Sequence, residues 1–452
     1  MKKNRWWIFL VTTSGTSVVF LDNTVMPVAL PTIQREWLLT HLSLIWIINS
    51  YLLSLTSLLL IGGRLSDLFG QRALFLIGLL LFGFGSAISG MSLNLSWMIT
   101  GRVIQGAGGA LIIPATSALL ITNFPIGQRA KAIGINTGIS SIFLILGPAI
   151  GGFFTQYLSW RGIFYLNLPL VGLGMIAALF ILPRGRGKKE PFHCMGALMM
   201  FCGITAFILA LMQGNEWGWT APIVLGLLAI SPLFVFFFWW ISLHTPHPLI
   251  DFNLFKNSLF SLANLFIFLT QIIVMITILW AIYFQQELHF TPAHTGLMIF
   301  IAILPVFFMA PFGGYLADRF GSRYPLLIGY SLLSFALFWL LLTVNMGSIL
   351  FMLPGLLAFG GGIPMTLSPA IAMALSQVNG DKLGIAAGIT SETRQLAGTM
   401  GIAFLTAIYQ ITATKTGSSV CAFSTISLVA MLLSLSGLII AYFTIHHELK
   451  RM

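Results

Sequence analysis

Fourteen times along this chain an apolar run long enough to cross a bilayer is followed by a break too short to hold a domain of its own. A spanning helix needs about 20 residues. The runs fall near 7–29, 44–66, 73–91, 95–121, 132–156, 161–182, 195–212, 221–243, 258–284, 295–316, 324–344, 348–375, 385–410 and 423–446. Of 452 residues, 58% are apolar and 7% charged, against about 25% charged in soluble domains, and the mean hydropathy is +0.96. An all-α integral membrane protein of about 14 transmembrane helices is predicted. The basic start has the flank of a signal peptide, but the run after it is too long for an h-region and holds Asp22, so an uncleaved first span is expected. Cys194, Cys202 and Cys421 lack paired metal or redox spacing, and no structural disulfide is expected.

The net charge of +11 takes its meaning from where the charges fall. With a cytoplasmic N-terminus, seventeen Lys and Arg residues lie in inner segments and Arg35, Arg161 and Lys415 in outer ones, leaving Arg102 and Arg394 inside spans. That asymmetry is the positive-inside rule. It predicts both termini in the cytoplasm of a plasma (bacterial inner) membrane, with the lipid bilayer rather than nucleic acid as the partner of the basic residues.

The segment GGRLSDLFGQR (Gly62 to Arg72) returns as GGYLADRFGSR (Gly313 to Arg323) with seven identities in eleven positions. Both copies sit between spans on the predicted inner side. Duplication at matching positions is how many secondary transporters are built, as two helical bundles about one central site. Two pseudo-symmetric six-helix bundles are therefore expected at 1–182 and 258–452. Residues 183–257 would form a linker with two inserted helices, the smallest insertion that keeps the second half in the orientation of the first.

The repeated Gly-x-Leu-x-Asp-x-x-Gly-x-Arg loop resembles the signature of the major facilitator superfamily. LDNTVMPVALP (Leu21 to Pro31) is similar to the first-span motif of its fourteen-helix drug:proton antiporters. RVIQGAGGA (Arg102 to Ala110) is similar to the Arg-x-x-Gln-Gly motif of span four, and GPAIGG (Gly147, Pro148, Gly151, Gly152) to the antiporter motif of span five. WRGIFYLNLP (Trp160 to Pro169) resembles the family's entry to span six. The resemblance covers essentially the whole chain and implies transport by alternating access. In that family the span-five motif accompanies export.

Asp22 lies roughly 22 Å along its helix at 1.5 Å per residue. Ionisable groups inside spans are rare, face the bundle interior or a water-filled cavity, and mark ion or substrate paths. Asp22 is expected to couple transport to a proton or to recognise a cation; the other reading is a structural carboxylate bonded to Thr24 or a neighbouring helix. Arg102 is always charged, so its role is electrostatic. It either holds a carboxylate ionised in one state or binds backbone carbonyls, with Gln105 at i+3 on the same helix face. Glu392, near the start of span thirteen, is either a second proton site or gate, or a solvated residue favoured by a helix N-terminus. Its spacing from Arg394 puts the two on different faces. Gly63, Asp67, Gly70, Arg72 and Arg129, with Gly314, Asp318, Gly321 and Arg323 in the second copy, are expected to form a charge-linked latch on the inner side, the alternative being surface ion pairs worth ~0–1 kcal/mol each. The span-five proline removes a backbone hydrogen bond among small residues, a bent face for close packing.

Nearly all charges are assigned to loops, so the central cavity is expected to be apolar and aromatic. The eight histidines fall in loops or at span ends, and His244 and His247 lack further ligands, so no metal is expected. The chain has no Gly-x-x-x-x-Gly-Lys-Ser/Thr motif, so ATP is excluded as its own energy source. An ion gradient remains. One proton moving down ~100 mV supplies ~2.3 kcal/mol and a pH unit ~1.4 kcal/mol, enough for roughly a few-hundred-fold gradient of an uncharged solute. The sequence thus predicts a monomeric, cofactor-free transporter, not an enzyme. It would exchange protons for hydrophobic or cationic small-molecule drugs or toxic compounds, with export of a metabolite or siderophore, or symport, as the alternatives.

Overall fold

A computed structural model describes residues 4–125, 129–184, 194–245, 252–378 and 383–449. Among these, the regular structure is helical throughout. The first six crossings are α1 (Asn4–Trp37), α2 (His41–Phe69), α3 (Gln71–Gly90), α4 (Leu95–Asn123), α5 (Arg129–Tyr157) and α6 (Arg161–Ile181). The pair α7 (Cys194–Trp217) and α8 (Pro222–Leu243) follows. The last six crossings take eight helices: α9 (Ser258–Val274) with α10 (Ile276–Gln286), α11 (Pro292–Ile303) with α12 (Pro305–Phe320), then α13 (Arg323–Thr343), α14 (Ile349–Ser376), α15 (Leu383–Thr416) and α16 (Ser419–Leu449). Thirteen stretches of the described residues are long and apolar enough to cross a membrane, and α2 carries a shorter apolar core at Trp46–Leu59. The chain is a multi-pass membrane protein.

Two crossings expected to be continuous are broken. Pro305 removes a backbone donor and interrupts the tenth crossing after Leu304. The ninth crossing is interrupted at Met275, whose N–H bonds to the Ile272 carbonyl three residues back. Short connections suffice because helices are capped where they start. Thr40, Asn94 and Thr291 each accept a hydrogen bond from the backbone N–H three residues on. Gly70 (φ 93°) joins α2 to α3 and Gly321 (φ 78°) joins α12 to α13, so both copies of the repeat turn on a glycine in a conformation other residues disfavour.

Burial divides the apolar interior into two large clusters. One draws on α1–α6, with Ile33, Tyr51, Phe75, Phe82 and Phe164 among its members. The other draws on α9–α16, with Phe266, Trp280, Tyr330, Phe359 and Phe423. Each borrows from the other side: Ile278 and Ile402 join the first cluster, Val28 and Ile145 the second. At the α2–α15 seam, Ile208 of α7 packs on Ala403, flanked by Trp46, Leu53 and Met400. The inserted pair therefore covers that seam from outside. Beyond it α8 leaves Phe236, Trp239 and Trp240 exposed, a surface suited to lipid rather than water.

Candidate functional site

The intramembrane charges predicted in α1 and α4 meet. Arg102 Nη1 donates to Asp22 Oδ2 at 2.6 Å and to Gln105 Oε1 at 2.6 Å. Gln105 Nε2 donates to Asp22 Oδ1 at 2.8 Å and to Ser86 Oγ of α3 at 2.9 Å. Asn167 of α6 donates to Asp22 Oδ1 at 3.2 Å and to Ser86 Oγ at 3.3 Å. The guanidinium is held further by its Nε bond to the Ile47 carbonyl of α2 (3.1 Å) and lies 4.2 Å from the Tyr51 ring centroid. Five helices of the first half thus contribute to one network around this carboxylate.

Asp22 is 0% exposed and Arg102 1%. An ion pair so enclosed persists because each charge also has hydrogen bonds to neutral groups. Of the two settings expected for such a group, Asp22 takes the bundle interior, and of the partners weighed for a structural carboxylate it takes neighbouring helices, α4 and α6. Thr24 is not its partner, since that hydroxyl donates to the Leu144 carbonyl of α5 at 2.8 Å. Arg102 bonds both kinds of group weighed for it, a carboxylate and a backbone carbonyl. Sequence reasoning missed Ser86, Asn167 and Tyr51. Asn167 was the most legible of these, as the polar residue inside WRGIFYLNLP.

Glu392 stands apart from this network. It is 2% exposed and neither carboxyl oxygen has a hydrogen-bond partner among the described residues. Since α15 begins at Leu383, Glu392 sits more than two turns inside the helix, which removes the helix-terminus reading. Arg394 points elsewhere, its guanidinium carbon 5.3 Å from the ring centroid of Phe20.

The span-five motif packs two ways. A Cβ on Gly147 or Gly151 would collide with Thr24 or with the Val25 carbonyl of α1, just beyond Asp22. One on Gly152 would meet the Pro292 carbonyl and lie 3.0 Å from Ala293 Cα of α11, and Gly296 sits equally tight on the Pro148 carbonyl. The motif therefore clasps α1 on one side and the second half on the other. Nearby, Gln156 accepts from the Ala293 N–H (2.9 Å), Gln285 donates to the Val28 carbonyl (2.8 Å) and Gln286 to Gln34 (2.9 Å). These contacts lie toward the membrane face away from Gly70 and Gly321. Mid-membrane, Thr56 and Thr399 hydroxyls are 2.7 Å apart between α2 and α15.

Of the residues expected to form a latch, the side chains of Asp67, Asp318 and Arg129 lie outside the described residues. Arg72 donates to the Leu179 carbonyl at the end of α6 (2.6 Å), a contact within its own half. In the second copy Arg323 sits 5.8 Å from the Tyr442 ring centroid of α16. Gly63 faces Pro114 at ordinary contact distance, and Gly314 has open space around it. His244 is exposed, and His247 lies outside the described residues. No group of three or more potential metal ligands occurs among the described residues.

The family profile of the Major Facilitator Superfamily matches residues 12–402. The chain is 31% identical over 416 residues to the multidrug resistance protein Stp of Mycobacterium tuberculosis, covering 90% of this chain and 76% of that one. It is 29% identical to the tetracenomycin C resistance and export protein of Streptomyces glaucescens (90% and 76% covered). It is also 26% identical to the riboflavin transporter RibZ of Clostridioides difficile (90% and 89%).

Proposed function

The chain belongs to the Major Facilitator Superfamily, and from that premise we propose that it is a proton-coupled exporter of amphipathic small molecules. Membership makes it a transporter of small molecules rather than an enzyme. The observation that carries the finer reading is the enclosed Asp22–Arg102–Gln105–Asn167 network. A proton on Asp22 cancels the charge that Arg102 compensates, so protonation converts a locked ion pair into a neutral carboxyl group beside a guanidinium seeking another partner. A site that swaps partners with its proton is a two-state element that a gradient can drive. Because α1 also carries the contacts to α5 and to the second half, a shift of α1 is transmitted across the seam.

In this reading the halves 1–182 and 258–452 rock about the centre. The polar contacts of Gln34, Gln156, Gln285 and Gln286 seal the outer face in the conformation seen. Both termini lie in the cytoplasm of the plasma membrane, and Glu392 is the second group able to carry a proton. The likeness to proteins named for drug resistance and antibiotic export supports efflux. The likeness to a named riboflavin transporter favours, as the alternative, carriage of a metabolite.

The test is transport in proteoliposomes under an imposed pH gradient. Wild-type protein is expected to move a fluorescent amphipathic compound uphill against the proton flow, and Asp22→Asn to lose uphill transport while remaining folded. Uphill transport by Asp22→Asn at the wild-type rate would remove Asp22 from the mechanism. Accumulation in the direction of proton entry would replace export by symport.

A further inference from the structure

Arg394 is the second arginine inside a span, and its surroundings are the opposite of those of Arg102. Arg102 spends its donors on Asp22, Gln105 and the Ile47 carbonyl. Arg394 is half-buried and, among the described residues, has neither an ion pair nor a hydrogen bond, its contact being the Phe20 ring. Its helix packs chiefly on α2, α7, α9 and α16 rather than on α1, so this side chain reaches across the boundary between the halves. A cation inside a span is costly and needs a compensating group.

Other polar groups nearby are also unspent. Gly398 follows Arg394 by four residues and shares its helix face. A Cβ there would lie 3.6 Å from Gln271 Nε2 and 3.8 Å from Met275 Cε. Gln271 is 7% exposed, and its amide has no hydrogen-bond partner among the described residues. On α1, Asn23 comes three residues after Phe20, and its Oδ1 is enclosed without a hydrogen-bond partner among the described residues. Phe20 and Asp22, two residues apart, are separated by about 200° around the helix. One face of α1 therefore holds the proton network and the opposite face looks toward Arg394.

We propose that Arg394 and Phe20, with Gln271 and Asn23 beside them, form a recognition site for planar aromatic substrates bearing an anionic or strongly accepting oxygen. The guanidinium supplies a planar fork of donors that fits a carboxylate, phenolate or carbonyl. Phe20 supplies an aromatic face, and the two amides adapt to further polar atoms. The same guanidinium repels a permanent cation, which is selectivity by an unfavourable contact. This inference rests on the export reading and narrows its substrate class, away from the cationic compounds expected from the sequence.

The full chain in lipid nanodiscs, titrated calorimetrically against empty nanodiscs, tests it with three probes sharing one ring system: naphthylacetate, naphthylethanol and naphthylmethyl-trimethylammonium. Wild-type protein is expected to bind the anion about tenfold more tightly than the cation, the size of one charge-assisted hydrogen bond. Arg394→Gln should bring the two within about twofold and Arg394→Lys should keep part of the preference, at the scale of that single interaction. Phe20→Leu should weaken all three probes alike. Equal or tighter binding of the cation by wild-type protein, binding of no probe, or a preference that survives Arg394→Gln overturns the site. If Arg394→Gln does not fold, the wild-type ranking still decides. Proton-driven efflux lost in Asp22→Asn alongside a cation preference leaves export standing and removes this site. The expected ranking without proton-driven transport does the reverse.

Discussion

The two halves solve the same packing problem with different chemistry. In the first, α1, α3, α4 and α6 are tied by an ion pair and three neutral polar side chains at Asp22. In the second, α9, α13 and α16 meet at Tyr330, whose hydroxyl lies 3.0 Å from that of Thr270 and donates to the Phe266 carbonyl (3.0 Å). Ser434 donates to the Tyr330 carbonyl (3.1 Å) and pairs with Ser334 (2.8 Å). The repeat is offset by 251 positions, which sets Ile273 against Asp22. Ile273 is fully buried in the second apolar cluster. A neutral network holds helices together at low cost, so the ionic one is not needed for packing. In the proposed mechanism one proton carrier, Asp22, belongs to this ionic network and the second, Glu392, stands outside it in α15 of the other half.

The contrast is tested first where the effect is largest. Arg102→Ala should leave a buried carboxylate without its counter-charge and cost about 3–5 kcal/mol, measured by unfolding in mixed micelles. Asp22→Asn combined with Arg102→Gln should recover much of that loss. Next, Gly151→Leu should force α1 away from α5 and abolish transport, since even a Cβ at this position collides with the Val25 carbonyl; proteoliposome flux and a monodisperse elution profile check it together. Asn167→Leu removes one donor from Asp22 and should cost about 1–3 kcal/mol. It should also alter the pH at which transport is half-maximal, a change that simple loss of packing does not produce. The smallest effect is expected in the second half. Tyr330→Phe should cost about 1 kcal/mol and leave proton coupling unchanged, and a coupling defect there would erase the distinction between the halves.

The apolar runs and the repeat were legible because membrane spans leave no choice of residue type over about 20 positions. Asp22 and Arg102 stood out because charges inside spans are rare, and Gln105 followed from helical spacing. Ser86 and Asn167 did not stand out, because hydroxyl and amide side chains are common in spans and no spacing links α3 or α6 to α1. That Asp22 takes the bundle interior was one of two settings open to it, and which of them it takes is a consequence of which way α1 is rotated. The breaks at Met275 and Leu304 show a further limit: hydropathy sees a crossing, while local backbone geometry, with Pro305 at the second break, decides whether it is one helix or two. Arg394 was visible as a charge, but its reach to Phe20 depends on how the halves are juxtaposed.

The central claim, that Asp22 carries the proton exchanged for substrate, is tested most directly by substrate-triggered proton release from purified protein in weakly buffered solution. Wild-type protein is predicted to release protons on addition of a transported compound, and Asp22→Asn to bind the same compound while releasing markedly fewer. Equal release from both proteins would contradict the account.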